Sequence, residues 1–199
     1  MVPTSVFKRK AAMRDVSKDL LLAIDFQNVY LPGNDWACPG SETAISNTLR
    51  IMNAENAPDA LITRYLAPEH PVGRWINYNQ EYKDINDNAF YSELEGRIGA
   101  LADRIPVISK DTYSSLKNGQ VLAALKGKEA VVLTGVVAEC CVLATMMDAI
   151  DLGYQVIYLY DCVAGQTPHK EACARQIAED FAPVHTLVMS CDEYLKEIE

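Results

Sequence analysis

Residues 129–145 read EAVVLTGVVAECCVLAT and combine a short apolar run with the start of an amphipathic pattern. Residues 130–133 are rich in β-branched side chains and are followed by a glycine, which predicts a buried strand. From Glu139 onward the apolar residues recur at helical spacing, which predicts a helix. The predicted turn between these elements therefore carries the neighbouring pair Cys140 and Cys141.

The cysteine pair has two interpretations. A thiol in the first turn of a helix meets unpaired N–H groups and the positive end of the helix dipole, and both favour the thiolate that acts as a nucleophile. The alternative is that two small apolar side chains pack here, because free cysteine is among the most buried residue types. The stretch by itself leaves both interpretations open.

Length and composition limit the possible classes of protein. The chain has 199 residues and a net charge of −9. We predict a polar N-terminal arm, residues 1–19, followed by a single domain, residues 20–199. The negative charge argues against nucleic acid and anionic membrane surfaces as partners, since both bind clustered Lys and Arg. No apolar run reaches the ~18 residues that a membrane span needs.

The cellular environment follows from the cysteines and from the start of the chain. Six cysteines are scattered along the sequence, without the close Cys-x-x-Cys pairs typical of zinc sites. The arm lacks the apolar segment of a secretory signal. We therefore expect reduced thiols in a cytoplasmic protein.

Strand and helix patterns alternate along the whole domain. We predict further strands at 20–24, 59–66, 105–109, 155–160 and 184–188. This alternation is typical of βαβ units, so we predict an α/β fold, a three-layer α/β/α sandwich around a mostly parallel, Rossmann-like sheet of about six strands.

Two segments after the second strand are harder to interpret. Residues 67–92 are rich in aromatic side chains without a regular period, and we predict a long loop. The loop could line a substrate pocket, form a subunit contact or be an irregular surface segment. Residues 93–103 predict a helix.

Three predicted strand ends carry reactive side chains: Asp25, Lys110 and the turn with Cys140 and Cys141. Because the carboxyl ends of parallel strands share one edge of a sheet, these groups can converge. A carboxylate there can take the thiol proton, an ammonium can stabilise the thiolate, and backbone N–H groups can bind an oxyanion. The alternative is a surface Lys–Asp pair beside a buried cysteine.

Three segments resemble motifs of the isochorismatase-like cysteine hydrolase superfamily, which includes nicotinamidase and N-carbamoylsarcosine amidase. They are LLAIDFQN at residues 21–28, VISKDTYS at 107–114 and LTGVVAECCVLAT at 133–145. The resemblance implies that Asp25 is the catalytic acid/base and that Lys110 is catalytic. It implies that the nucleophile is the cysteine directly before valine, which is Cys141 rather than Cys140.

The resemblance also implies features of the turn and of the pocket. It places a cis peptide bond between Val136 and Val137, with the backbone N–H groups of Val137 and Cys141 aimed at an oxyanion. It implies that Tyr30 contacts substrate, and we expect Trp75, from the aromatic segment 67–92, to do the same. The expectation for Tyr30 comes from the resemblance, and that for Trp75 comes from the aromatic composition of its segment.

One departure from the family pattern concerns metal binding. Nicotinamidases carry an Asp-x-His metal motif after the second strand, whereas residues 63–68 here read TRYLAP. His70 alone is a weak ligand, so we predict neither a metal nor another cofactor.

We therefore expect a hydrolase that cleaves the C–N bond of a small-molecule amide or carbamoyl substrate through a thiolate nucleophile and an acyl-enzyme intermediate. One alternative is an isochorismate-type vinyl ether hydrolase. Another is a non-catalytic binding protein with the same fold, against which the intact Asp25, Lys110 and Cys141 argue. Because members of the superfamily are commonly oligomers, we also expect a homo-oligomer, either a dimer or a tetramer.

Overall fold

The computed structural model describes residues 14–199 and is built around one six-stranded sheet, in the order β3-β2-β1-β4-β5-β6 with every neighbouring pair parallel. The strands are Asp19–Ile24 (β1), Asp59–Tyr65 (β2), Val107–Lys110 (β3), Ala130–Val136 (β4), Gln155–Ala164 (β5) and Thr186–Met189 (β6). The predicted α/β fold is confirmed. Residues 1–13 of the predicted N-terminal arm lie outside the described residues.

Helices cover both faces of this sheet and complete the three predicted layers. Their bounds are Ser41–Met52 (α1), Trp75–Glu81 (α2), Lys83–Asn86 (α3), Ala89–Ser92 (α4), Gly96–Gly99 (α5), Gly119–Ala124 (α6), Leu143–Asp151 (α7), Pro168–Asp180 (α8) and Cys191–Ile198 (α9). Helices α1 and α9 pack on one face, and α6, α7 and α8 pack on the other.

Strand β1 lies in the middle of the sheet and is buried along its whole length. Leu21 and Ala23 face the layer of α1 and α9, whereas Leu20 and Leu22 face the opposite layer. Burial on both faces explains why this strand is a continuous apolar run without alternation. It also fixes Asp25, the residue after β1, at the centre of the carboxyl edge.

The segment 67–92 contains three short helices, α2 to α4, so the predicted long loop is wrong as a description of its backbone. These helices are held by aromatic side chains instead of a periodic apolar face, and a local cap supports α4, where Asn88 accepts a hydrogen bond from the Tyr91 N–H. A search for helical periodicity misses such elements.

The helix predicted over residues 93–103 shrinks to the short α5. Leu94 forms an isolated antiparallel bridge with Gln27, and the Glu95 N–H donates to the Phe26 carbonyl at 2.8 Å. These bonds tie the segment to the strand β1 side and keep its first residues extended.

Two further features bear on function. All six cysteines are free thiols, as predicted. Across residues 14–199, every helix is too short or too polar to cross a membrane.

Candidate active site

The strand order places a crevice between β1 and β4. The chain leaves β1 towards β2 and β3 on one side, and then crosses to β4, β5 and β6 on the other. Ligands of open α/β sheets bind at the carboxyl edge where the strand order reverses in this way. Asp25 follows β1 here, and the turn with Cys141 follows β4.

Asp25, Lys110 and Cys141 meet in this crevice. The Lys110 Nζ lies 2.7 Å from Asp25 Oδ2 and 3.5 Å from the Cys141 Sγ. Asp25 is fully buried, and Lys110 and Cys141 are each 3% exposed. The structure thus brings together the three side chains that the sequence nominated as catalytic, in a site largely shielded from solvent.

Asp25 is held in an unusual backbone conformation. Its φ is 55°, in the left-handed region that residues other than glycine seldom adopt. The Thr63 hydroxyl donates to Asp25 Oδ1 at 2.8 Å, and the Asp25 N–H donates to the Thr63 carbonyl at 3.0 Å. The neighbouring strand β2 therefore fixes both the carboxylate and its main chain.

Lys110 is surrounded by acceptors. Besides Asp25 and Cys141, its ammonium donates to the carbonyls of Thr112 and Tyr113 at 2.9 and 3.0 Å. Burial alone would lower the pKa of Lys110, but the charge of Asp25 and the hydrogen bonds to Asp25 and Cys141 outweigh it and raise that pKa. Lys110 therefore stays protonated and holds a fixed positive charge beside the thiol.

The turn after β4 is irregular in several ways. The peptide bond between Val136 and Val137 is cis. Residues Ala138–Val142 then wind more widely than an α-helix, since the Val142 N–H reaches the Val137 carbonyl five residues back. Such wide turns are frequent at functional sites. The helix predicted from Glu139 becomes regular only at α7.

Gly135 permits the close approach of β4 to β1. Its φ is 122°, and a Cβ at this position would lie 2.1 Å from the Ile24 carbonyl oxygen. The register between β4 and β5 also shifts at this point. The missing side chain lets the end of β4 lie directly against the residue that precedes Asp25.

The protonation state of Cys141 differs from the sequence-based expectation. We expected the helix start to favour the thiolate, but burial and the negative charge of Asp25 raise the pKa of Cys141, and the opposing effect of Lys110 is smaller. The resting side chain is therefore a thiol beside a carboxylate. This arrangement suits proton transfer at the moment of attack.

Aromatic rings enclose the site on the solvent side. We call these rings the aromatic cover; they are Tyr30, Trp36, Tyr65, Trp75, Tyr78, Tyr82 and Tyr113. Neighbouring ring centroids lie 4.7 to 6.5 Å apart. Burial raises the pKa values of four tyrosines of the cover, and all four lie within electrostatic range of the Cys141 side chain: Tyr30, Tyr65, Tyr78 and Tyr113.

Both predicted substrate contacts belong to the cover. Tyr30 is buried near Cys141 and Asp25, with its ring 5.9 Å from Trp36. Trp75 is half-buried and packs against Tyr113 at 5.2 Å. Their contact with substrate stays a prediction.

The sequence analysis missed Tyr65 as a member of the site. Tyr65 closes β2 in the way that Lys110 closes β3, and these two residues are register partners. The strand-end criterion that found Asp25 and Lys110 passed over Tyr65 because the predicted strand 59–66 runs one residue beyond the observed end of β2.

The structure also bears on metal binding. Within residues 14–199, no group of three or more His, Cys, Asp or Glu side chains is arranged to hold an ion. Residues 63–68 contain neither Asp nor His, and His70 is exposed.

Comparison with known proteins gives a family match over most of the chain. A family model described as the isochorismatase domain matches residues 19–187. N-carbamoylsarcosine amidase from an Arthrobacter species is 25% identical over 180 residues, which cover 83% of this chain and 67% of that protein.

Solved structures share the fold. A cysteine hydrolase from Pseudomonas syringae pv. phaseolicola 1448A superposes with a TM-score of 0.81 at 16% identity, over 94% of this chain and 95% of that one. An isochorismatase-like hydrolase from Alkaliphilus metalliredigens gives 0.71 at 23% identity, over 94% of this chain and 100% of that one.

Proposed function

This chain belongs to the isochorismatase family of hydrolases, and on that basis we propose that it is a cysteine hydrolase of small-molecule amides or carbamoyl compounds. In this proposal Cys141 is the nucleophile, Asp25 is the acid/base, and Lys110 is the fixed cation. The amidase relative supports cleavage of a C–N bond. Val137 and Cys141 would supply the backbone N–H groups for the oxyanion.

One observation carries the proposal: a buried carboxylate and a buried ammonium, 2.7 Å apart, flank a single thiol. An ion pair that served only to stabilise the fold would not require a nucleophilic thiol beside it. Burial of three polar groups is costly unless they pair with one another. The crevice at the strand-order reversal is also where a substrate would enter.

The first half-reaction releases the amine. Cys141 Sγ attacks the substrate carbonyl carbon while Asp25 accepts the thiol proton, so a C–S bond forms and the carbonyl becomes an oxyanion. The intermediate collapses with loss of the C–N bond, and Asp25 returns the proton to the leaving nitrogen. The products of this step are ammonia or an amine and a thioester on Cys141.

The second half-reaction consumes water. Asp25, again ionised, takes a proton from a water molecule while the oxygen of that water attacks the thioester carbon. The C–S bond breaks, the acid product leaves, and the proton held by Asp25 returns to the Cys141 sulfur. Lys110 remains protonated throughout and offsets the negative charge that moves between carboxylate, sulfur and oxyanion.

The test is ammonia release from a panel of small carboxamides and ureido compounds. We expect Cys141→Ala to lower kcat/KM by at least about a thousandfold. Cys140→Ala is the matched control, because it removes a thiol from the adjacent residue, and we expect it to keep activity near the wild-type level. Full activity of Cys141→Ala on the best panel compound would contradict the assignment.

A further inference from the structure

Tyr65 stands beside the catalytic cation. It pairs in register with Lys110 across strands β2 and β3, and its ring centroid lies 5.8 Å from the Lys110 Nζ. Tyr65 is 7% exposed, and the mechanism above does not use it. A cation at this distance from a phenol ring is favourably placed.

The hydroxyl of Tyr65 is buried without a hydrogen-bonding partner among residues 14–199. A buried hydroxyl that forms no hydrogen bond is unfavourable, and most such groups in proteins find a partner. The site itself therefore offers an unused donor and acceptor next to Lys110.

The position of Tyr65 is fixed from its main chain. The Gln27 side chain binds both backbone groups: its Oε1 accepts from the Tyr65 N–H at 2.7 Å, and its Nε2 donates to the Tyr65 carbonyl at 3.0 Å. Gln27 is itself buried. Hydrogen bonds of this kind from a buried side chain are typical of residues that a functional site holds in a fixed position.

Groups of both signs act on this ring: the Lys110 ammonium and the carboxylates of Asp111 and Asp25. Burial, together with the negative charges of Asp111 and Asp25, raises the pKa of Tyr65, so the phenol stays protonated. Lys110, the cation within the triad, is already paired with Asp25. A carboxylate placed here would face Asp25 without a free cation, whereas an uncharged polar group would not be repelled.

We propose that the Tyr65 hydroxyl binds substrate, through a hydrogen bond to an uncharged carboxamide or carbamoyl group at the reacting end of the molecule. This inference rests on the proposed function and adds a specificity-determining residue to it. Tyr65 selects substrates whose reacting end is uncharged, and it takes no part in bond breaking.

The first test compares two tyrosines that each bury an unpartnered hydroxyl. Tyr158, on β5, is 1% exposed and is the matched control. With the best panel amide, Tyr65→Phe should raise KM roughly 3- to 10-fold and leave kcat unchanged, which is the effect of one neutral hydrogen bond. Tyr158→Phe should change neither constant. An unchanged KM in Tyr65→Phe would overturn the proposal.

The second test needs no turnover and so separates this inference from the proposed function. Iodoacetamide carries an uncharged carboxamide, and its alkylation of Cys141 can be followed by peptide mass spectrometry. In Tyr65→Phe, the iodoacetamide concentration for half-maximal alkylation rate should rise roughly 3- to 10-fold, while alkylation by methyl iodide, which lacks that group, stays unchanged. Equal effects on both reagents, or on neither, would overturn the proposal.

A third measurement uses the wild-type chain and so does not depend on the folding of a variant. Acetamide should slow the alkylation of Cys141 by iodoacetamide, and acetate, its anionic counterpart, should not. Equal protection by both compounds, or protection by neither, would overturn the preference for an uncharged group. If these expectations hold while no panel amide is turned over, binding at Tyr65 stands and the proposed function fails.

Discussion

The two ends of strand β1 each bury an aspartate, and the two sites differ in what surrounds the carboxylate. Asp19 at the amino end is 1% exposed, accepts a hydrogen bond from the Tyr194 hydroxyl at 2.7 Å and pairs with Arg14. Asp25 at the carboxyl end is fully buried and pairs with Lys110 beside Cys141. Both carboxylates are buried and both are paired with a cation.

The difference lies in the partners. Arginine does not lose its proton in proteins, and burial raises the pKa of Tyr194, so neither of these two partners of Asp19 can exchange a proton at neutral pH. Asp25 has a thiol within reach and lies at the edge where ligands enter. Burial and charge pairing are therefore common to both ends of β1, and the carboxyl end differs in placing a thiol beside its carboxylate.

The largest expected effect comes from neutralising each aspartate in turn. Asp25→Asn should lower kcat/KM by about 10²- to 10⁴-fold, because the amide cannot accept the thiol proton. Asp19→Asn should keep kcat/KM close to wild type but lower the free energy of unfolding by about 3 kcal/mol, because Arg14 loses its buried counter-charge and keeps only the more exposed Glu197. Steady-state kinetics and urea unfolding measure the two effects. An equal loss of activity in both variants would remove the distinction between the two ends.

Alkaline pH should act on the carboxyl end of β1 before it acts on the amino end. In the unfolded chain the Cys141 thiol loses its proton near its ordinary pKa of 9.0, whereas burial raises that pKa in the folded chain. The folded state then binds more protons above pH 9, so the free energy of unfolding falls as pH rises, by about 1.4 kcal/mol per pH unit for this thiol. Below pH 9 its contribution is fully present.

Urea unfolding between pH 9 and 10.5 checks this expectation. Cys141→Ala should show a shallower decline than the wild type, since one titrating group is gone. Asp19→Asn should decline in parallel with the wild type below pH 10, because Arg14 holds its proton there and Tyr194 begins to lose its proton in the unfolded chain only near its ordinary pKa of 10.0. A Cys141→Ala curve parallel to that of the wild type would mean that the thiol titrates alike in both states.

The smallest effect concerns the hydroxyl that supports each carboxylate. Thr63→Val removes the donor to Asp25 Oδ1, and we expect kcat/KM to fall roughly 3- to 10-fold because the carboxylate is less well oriented. Tyr194→Phe removes the donor to Asp19 and should lower the free energy of unfolding by about 2 kcal/mol without a change in kcat/KM. Steady-state kinetics and urea unfolding of both variants test these expectations. Loss of activity in Tyr194→Phe would contradict the comparison.

The sequence was sufficient to predict the elements that recur along the chain, which are the buried parallel strands. Apolar runs that end in Asp25 and Lys110 predicted buried parallel strands and placed their last residues at one edge. The segment 67–92 was beyond the same reasoning, because its short helices are stabilised by contacts between aromatic rings distant in sequence. The charge state of Cys141 was missed for a similar reason: it depends on burial by other elements, which no local pattern reports.

The aromatic cover has a practical consequence for optical spectroscopy. The chain contains two tryptophans, Trp36 and Trp75, and both lie in the cover. Emission excited at the red edge of the absorption band therefore comes from rings of the aromatic cover and from nowhere else in the protein. Ligand binding near the cover can therefore be followed by intrinsic tryptophan fluorescence, without an added label.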